Sequence, residues 1–335
     1  MQQNLITNSL NFKLLIRLQL LALIGGCIIL SLKFVAYFIT HSNAIFTDAL
    51  ESIINVAAGA FALYSIYISS KPTDADHPYG HGKIEFLSAG FEGILIVIAG
   101  FGIIIKSVIA FIRPAVLEHL DAGLIITVTT GLANYIIGWW LQHYGKKHQS
   151  LVLIADGEHL KSDAYSSLAI IAGIIVVMVT GWQWLDNILA IVIGFYILYT
   201  GTRLVRKSVA GIMDEADETV VSSVINSINA HRKPQWVDVH NLRVIQYGSM
   251  WHVDCHVTLP WYYTLQQAHD EIDEISRLVN AQNDGRIEFF IHADACVENS
   301  CRICSLRDCP HRIHPQERTL HWDVSLVRQN QKHGI

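Results

Sequence analysis

Six long apolar stretches constrain this chain more than any other feature of its sequence. They lie at about 14–39, 43–69, 86–112, 121–142, 151–180 and 184–206. A bilayer core needs roughly 20 mostly apolar residues per crossing helix, and each stretch meets that length. Over the whole chain 51% of residues are hydrophobic and 16% are charged, unlike a typical soluble domain. The sequence therefore predicts a polytopic α-helical membrane domain of six spans, covering residues 1–211.

Basic residues cluster at alternate ends of these stretches. Lys13 and Arg17 open the first stretch, Lys146 and Lys147 follow the fourth, and further basic residues close the sixth. The positive-inside rule then predicts that both termini are cytoplasmic. The first stretch is too long for a signal peptide and has no small-residue cleavage site, so we expect it to be retained. We expect a multi-pass integral protein of the bacterial inner membrane.

The residues after the last apolar stretch alternate between helical and strand patterns. Helical periodicity at 217–231 and 265–279 alternates with strand-like runs at 237–245, 251–259 and 287–292. This αββαβ order predicts a cytosolic α+β domain of ferredoxin-like type over 212–295. Residues 296–335 form a Cys/His-rich C-terminal tail.

Two pairs of polar side chains interrupt the apolar stretches. Glu51 and Asn55 lie in the second stretch, and His159 and Asp163 lie in the fifth. Each pair has i,i+4 spacing and so occupies one face of a helix. Together they offer four nitrogen or oxygen ligands, and the two carboxylates balance a divalent cation. Hydrogen bonding between helices is the alternative interpretation. Asp48, one turn before Glu51, fits a proton-path residue or a helix–helix hydrogen bond.

At these residues the sequence resembles the cation diffusion facilitator family, from the first span to about Asp294. The family carries His-x-x-x-Asp on its fifth span, here His159 and Asp163, and a His-Pro-Tyr-Gly-His-Gly-Lys-type loop, here residues 77–83. On its second span the family commonly has His or Asp followed by Asp, whereas this chain has Glu51 and Asn55. The sequence therefore does not fix which metal is bound: zinc is favoured, with iron, manganese, cobalt and cadmium as alternatives.

The resemblance implies two further metal sites. Some members bind a second metal at the loop positions that match Asp74, His77 and His81; a structural turn is the alternative. In the cytosolic domain the resemblance implies a binuclear site that draws two subunits of a homodimer together; ordinary surface histidines are the alternative. Its five residues are His240, His256, His269, His292 and Asp294.

The tail carries four closely spaced cysteines beyond the family core. They follow the pattern Cys296-x4-Cys301-x2-Cys304-x4-Cys309, and His311 and His314 come after them. In a reducing cytosol this spacing favours a metal site over disulfides. Zinc fits these ligands best, and copper(I) or an iron–sulfur centre are alternatives. A structural role is the simplest one for such a site.

These features predict divalent metal efflux by proton antiport, with the metal bound between spans two and five. No P-loop is present, so we expect a secondary active transporter rather than an ATP-driven pump. A membrane-anchored cytosolic metal sensor is the alternative. A zinc enzyme is disfavoured, because a four-ligand site leaves no open position. The expected partners are the metal, protons, membrane lipid and a second copy of the chain. The net charge of −5 gives no reason to expect nucleic acid.

Overall fold

The computed structural model describes residues 2–40, 43–112, 120–180, 183–248, 250–283 and 285–333. The chain divides into two compact units, Met1–Ile212 and Met213–Ile335. The described part of the first unit is built of long helices, and the second unit combines helices with a small sheet.

Six helices make up the described part of the first unit. The shortest has 27 residues, which at 1.5 Å per residue gives about 40 Å, more than the thickness of a bilayer core. Their bounds are α1 (Gln2–Thr40), α2 (Asn43–Ser69), α3 (Ile84–Ile112), α4 (Leu120–His148), α5 (Leu151–Thr180) and α6 (Gln183–Ile212).

Large apolar side chains cover the outside of this helical unit. On α1 the buried residues Leu15, Leu18 and Ala22 alternate with exposed leucine and isoleucine side chains such as Leu21 and Ile28. An apolar surface of this extent is unfavourable in water and typical of contact with lipid. Within the described residues, three segments are long and apolar enough to cross a membrane, namely Phe12–Val35, Ser52–Ser69 and Ile84–Ile109.

Helix α5 is continuous through the charged residues 156–163 that interrupt its apolar sequence. Close packing against α4 supports it there. A β-carbon at Gly157 would stand 2.7 Å from the carbonyl oxygen of Gly138, and one at Gly138 would stand 2.7 Å from the carbonyl oxygen of Gly157. Small residues of this kind let two helix backbones approach closely. This contact fixes the half of α5 that carries His159 and Asp163.

The second unit follows the predicted αββαβ order. It contains α7 (Glu218–Ala230), β1 (Asp238–Tyr247), β2 (Met250–Leu259), α8 (Leu265–Gln282) and β3 (Ile287–Ala295). Asp217 caps α7, and Thr264 and Gln267 form a capping box on α8, so the sequence itself marks where both helices begin. The sheet order is β1-β2-β3, with β1 and β2 antiparallel and β2 and β3 parallel.

Strand register places three histidines in one row across the sheet. His240 of β1 pairs with His256 of β2, which pairs with His292 of β3. The β1–β2 register shifts just after His240, where Asn241 has a φ of +52° and its amide donates to the carbonyl of Gln329. This bulge interrupts regular pairing beside the histidine row, and pairing resumes at Arg243.

The residues after β3 pack on the same core as the sheet. They include a 3-10 turn, Glu298–Arg302, and a short helix, α9 (Val324–Val327). Leu320, Trp322 and Val327 belong to the hydrophobic core that contains Trp236, and the Arg232 guanidinium lies 3.7 Å from the Trp322 ring centroid. The tail is therefore an integral part of the second unit.

Candidate metal centres

In the helical unit, one predicted ligand, Asn55, contacts two others, His159 and Asp163. Asn55 of α2 donates from Nδ2 to Oδ2 of Asp163 on α5. The Nε2 atom of His159 lies 3.0 Å from Oδ1 of Asn55, and His159 is only 3% exposed. Glu51 lies on α2, and its side chain is outside the described residues, as is that of Asp48. The structure thus brings the α2 amide to the His-x-x-x-Asp pair of α5.

The distances within this group suit a small metal ion. Ligand atoms at about 2.0–2.1 Å from a tetrahedral ion stand roughly 3.3 Å from one another. The 3.0 Å between His159 Nε2 and Asn55 Oδ1 is close to that separation. Asn55 contacts the imidazole through its oxygen and the carboxylate through its nitrogen, an orientation inferred from this network. A metal bound by the oxygen and Asp163 would replace the amide's contact with the carboxylate.

Further buried polar residues surround this group, and sequence reasoning did not single them out. Gln19 of α1 donates from Nε2 to Oδ2 of Asp156 at 2.5 Å and to the carbonyl oxygen of Gly59 at 3.3 Å. Asp156 and Asn134 line a cavity of about 30 Å³ that also reaches Asn55. A water needs about 10–15 Å³ of such space, so the cavity has room for about two waters.

Glu92 of α3 is the most isolated of these polar residues. It is fully buried, and within the described part of the chain neither carboxylate oxygen has a hydrogen-bond partner. The carboxyl groups of Asp156 and Asp163 are close enough to interact electrostatically with that of Glu92. A carboxyl group at this depth is costly and points to function. Its position as a lone acid inside the apolar third stretch is the signal that could have identified it.

The loop between α2 and α3 brings Asp74, His77 and His81 together. Asp74 Oδ1 lies 3.2 Å from His77 Nδ1, and Asp74 Oδ2 lies 3.3 Å from His81 Nε2. The His77 and His81 ring centroids are 4.3 Å apart. One ligand atom from each residue lies within 4.8 Å of the other two. The group could therefore hold one metal ion.

The backbone of the loop shapes this group. The Asp74 carboxylate accepts hydrogen bonds from the backbone amides of His77 at 2.7 Å and Asp76 at 3.1 Å. The hydrogen bond donated by the His77 backbone amide is the main reason that the pKa of Asp74 lies below its usual value. Gly80 has a φ of +83°, a conformation that side chains rarely adopt, so glycine is required at this turn.

In the second unit, His240, His256 and Asp294 form the other group whose ligand atoms all lie within 4.8 Å. Asp294 Oδ2 lies 3.2 Å from both His240 Nε2 and His256 Nδ1. His292 adjoins the group, with Nε2 at 3.6 Å from Asp294 Oδ1. The pairing register of the three strands aligns His240, His256 and His292. His269, the fifth predicted ligand, is not part of this three-residue group; it is exposed on α8, 3.8 Å from Asp273.

Two residues that the sequence did not suggest support His240. Asp238 Oδ1 lies 2.8 Å from His333 Nδ1, and Asp238 Oδ2 lies 3.5 Å from His240 Nδ1. Burial opposes ionisation of Asp238, but the contacts with His240 and His333 outweigh it and lower the pKa of this carboxyl. Carboxylates in this position orient metal-binding histidines. Asp238 is two residues before His240, but nothing local in the sequence links it to His333.

The four tail cysteines line one cavity together with Trp261. The backbone amide of Trp261 donates to Cys296 Sγ at 3.4 Å, and Cys304 is buried. Burial raises the pKa of the Cys296 and Cys304 thiols. Among the described side chains, no three of the cysteine sulfurs lie within 4.8 Å of one another. The structure therefore brings the four residues to one site, at wider spacing than in the two groups above.

Comparison with known proteins gives matches over both units. The profile of the cation efflux transmembrane domain matches residues 20–213, and that of the cation efflux protein cytoplasmic domain matches residues 216–296. An uncharacterized transporter of Synechocystis sp. strain PCC 6803 is 33% identical over 250 residues, covering 75% of this chain and 81% of the relative.

Two other relatives carry functional names. The manganese efflux system protein MneP of Bacillus subtilis is 28% identical over 289 residues, covering 84% of this chain and 96% of the relative. The cation-efflux pump FieF of Salmonella typhi is 27% identical over 269 residues, covering 80% and 88%. The transmembrane-domain profile alone covers more than half of the chain. The protein is thus an integral membrane protein and a transporter rather than an enzyme, and it belongs to the cation diffusion facilitator family of cation efflux proteins.

Proposed function

We propose that this chain exports a divalent metal ion in exchange for protons, through a site between α2 and α5. The observation that carries the proposal is the contact of Asn55 with both His159 and Asp163. These side chains, with Glu51 as the fourth expected ligand, supply nitrogen and oxygen donors of the kind that divalent transition metals bind. Two carboxylates would balance the charge of the ion in a setting where an unbalanced charge is costly.

Competition between metal and protons would couple the two movements. A histidine and carboxylates bind either species, so proton entry at the site favours release of the metal. Glu92 and Asp156 support this proposal, because they are buried carboxyl groups with no metal-ligand role of their own in it. We infer that they carry protons to and from Asp163.

The proposal includes the wider arrangement of the molecule. The six helices of the first unit would each cross the inner membrane of a bacterium, with both termini in the cytoplasm as the basic residues predict. The second unit, a ferredoxin-like domain in this proposal, would bind metal at His240, His256, His292 and Asp294 and pair with the same unit of a second copy. The loop group at Asp74, His77 and His81 would bind an ion near the entrance to the transport site.

Zinc and manganese are the first ions to test. The residues offer one imidazole and otherwise oxygen ligands, and carboxylate and carbonyl oxygens suit manganese as well as zinc. MneP carries manganese efflux in its name. Iron(II), cobalt and cadmium complete the panel.

A second candidate function is cytosolic metal sensing by a membrane-anchored protein. The observation that favours it is the preformed group of His240, His256 and Asp294 in the second unit, supported by Asp238 and His333. In this case Asn55, His159 and Asp163 would only form hydrogen bonds that hold α2 and α5 together.

Uptake by sealed proteoliposomes distinguishes the two functions. Full-length protein is reconstituted, a pH gradient is imposed, and uptake of each metal in the panel is measured. We expect uptake that depends on the gradient, and we expect Asp163→Asn to lower it by at least about 100-fold, since even residues that only support a metal ligand are worth 10–100-fold in affinity. Asp270→Asn, at an exposed carboxylate of α8, is the matched control. Equal uptake by both variants would mean that the transport proposal is wrong.

A further inference from the structure

The cavity lined by the four tail cysteines lies largely outside the family core. Cys296 follows β3, Cys301 lies in the 3-10 turn, and Cys304 and Cys309 follow it. The match to the family's cytoplasmic domain ends at residue 296, so three of the four cysteines lie beyond it. The cavity is a feature that the tail of this chain adds.

The sulfur atoms of the four cysteines stand farther apart than the ligands of one metal ion. A zinc ion with four thiolates holds the sulfurs about 3.8 Å apart, because the Zn–S bond is about 2.3 Å and the geometry is tetrahedral. Within the described residues, no three of these sulfurs fall inside even 4.8 Å. The cavity has a volume of about 390 Å³. That volume is roughly 30 times the space of about 10–15 Å³ that one water requires.

The spacing of the cysteines matches that of iron–sulfur proteins. Cys296-x4-Cys301-x2-Cys304 has the spacing of the first three cysteines of plant-type ferredoxins. Cys309 precedes Pro310, as the last cysteine of the bacterial ferredoxin pattern precedes a proline. A cluster distributes its four thiolates over more than one iron, so its ligands stand farther apart than those of a single ion.

Two groups of the cavity lining favour a negatively charged occupant, although the acidic residue Glu298 also lines it. The Trp261 amide donates to Cys296 Sγ, the kind of hydrogen bond that tunes iron–sulfur centres. Arg312, which also lines the cavity, donates to the carbonyl oxygens of Cys301 and Cys304, at 3.1 Å each. This guanidinium holds the loop in shape and supplies a positive charge beside thiolates that would carry the net negative charge of a cluster.

We propose that Cys296, Cys301, Cys304 and Cys309 bind an iron–sulfur cluster. The residue types alone favour zinc at this site, whereas the spacing of the cysteines in the sequence and the separation of their sulfur atoms favour a cluster. The cluster is a resident group of the second unit, distinct from the metal that the helical unit transports and from the group at Asp294.

The test is the composition of full-length protein purified in detergent without oxygen. Iron, acid-labile sulfide and zinc are measured per chain, and visible and electron paramagnetic resonance spectra are recorded before and after reduction. We expect equal amounts of iron and sulfide, at about two or about four of each per chain. Visible absorption should bleach on reduction. One zinc per chain without iron or sulfide would overturn the proposal, and so would a chain that holds no metal at these residues.

Variants and reconstitution complete the test. Cys304→Ser and Cys309→Ser should lose iron and sulfide, whereas Cys27→Ser, an exposed cysteine of α1, should keep both. In case the tail variants fold poorly, metal-stripped wild-type protein is supplied with ferrous iron and sulfide in the presence of zinc. Formation of the cluster supports the proposal. Uptake of a single zinc, with no cluster, contradicts it.

Discussion

At the scale of single residues, Asn55 has the most informative position in the helical unit. Its amide contacts an imidazole through Oδ1 and a carboxylate through Nδ2. Asn55 places a neutral amide at a position where the second span of the family commonly carries an aspartate. Asn55 therefore affects both the charge and the hardness of the ligand set, which are the properties that select among divalent ions.

Asn55→Ala should lower metal uptake by about 10–100-fold, because it removes one oxygen ligand and the support of His159 and Asp163. The neighbouring variant Ile54→Ala is the control, since the Ile54 side chain is exposed and points about 100° around α2 from Asn55. Initial rates in proteoliposomes measure both. Equal loss in the two variants would assign the effect to helix stability instead of ligation.

Asp238 gives the second unit a defined response to pH. Its pKa is lowered in the folded protein, so its ionised form stabilises the fold above its ordinary pKa of 3.8, and this contribution is lost as pH falls through the lower folded value. We expect Asp238→Asn to destabilise the second unit by about 1–3 kcal/mol at neutral pH. The difference from wild type should begin to shrink below pH 3.8, where unfolded Asp238 protonates, and should be lost once pH falls below the pKa of folded Asp238. Thermal unfolding of metal-stripped, full-length protein across pH measures this, and a difference that grows toward acid would contradict it.

At the scale of secondary-structure elements, the contact between α4 and α5 fixes the site-bearing half of α5. Gly138 and Gly157 face each other so closely that neither position has room for a β-carbon. A close backbone contact with α4 therefore adds to the packing of apolar side chains, such as Leu141 and Leu160, in positioning the polar residues of α5.

Gly157→Ala should force α4 and α5 apart and destabilise the helical unit by about 1–3 kcal/mol, as overpacking does elsewhere. Gly102→Ala is the matched control, because a β-carbon there meets nothing within 4 Å. Thermal unfolding in detergent compares the two variants. An unchanged melting temperature for Gly157→Ala would contradict the close contact.

Much of this architecture could be predicted from local patterns. The αββαβ order follows from periodicity and from capping residues such as Asp217 and Thr264, and the family resemblance is confirmed. Long-range contacts have no such local signal. The pairing of His333 with Asp238 joins residues 95 apart. The cysteine cavity likewise forms only when the tail folds against residues such as Val237 and Trp261. Gln19 of α1 and Glu92 of α3 lie near the polar residues of α5 only because these helices come together in the fold.

At the scale of the whole molecule, each unit carries its own candidate metal groups. The helical unit has the group on α2 and α5 and the loop group, and the second unit has the group at Asp294 and the cysteine cavity. In the function proposed above, the helical unit carries transport and the second unit responds to metal. Substitutions in the two units should then have separable effects.

If His240 binds metal in the second unit as proposed, His240→Ala should weaken the metal-dependent pairing of two second units by about 10-fold or more and leave transport unchanged. His321→Ala, at an exposed histidine of the tail, is the control. Fluorescence energy transfer between labelled second units, recorded while metal is titrated, measures this pairing. Loss of transport by the variant at saturating metal, with pairing unchanged, would reverse the assignment.

The exchange of metal for protons is tested most directly by recording both ions in sealed proteoliposomes of the full-length protein. A pH-sensitive dye is enclosed, and zinc or manganese is added outside. If metal is exchanged for protons, metal should enter while the interior becomes more alkaline, and Asp163→Asn should show neither change. Metal entry without proton movement, or equal entry in Asp163→Asn, would contradict proton-coupled transport through the site on α2 and α5.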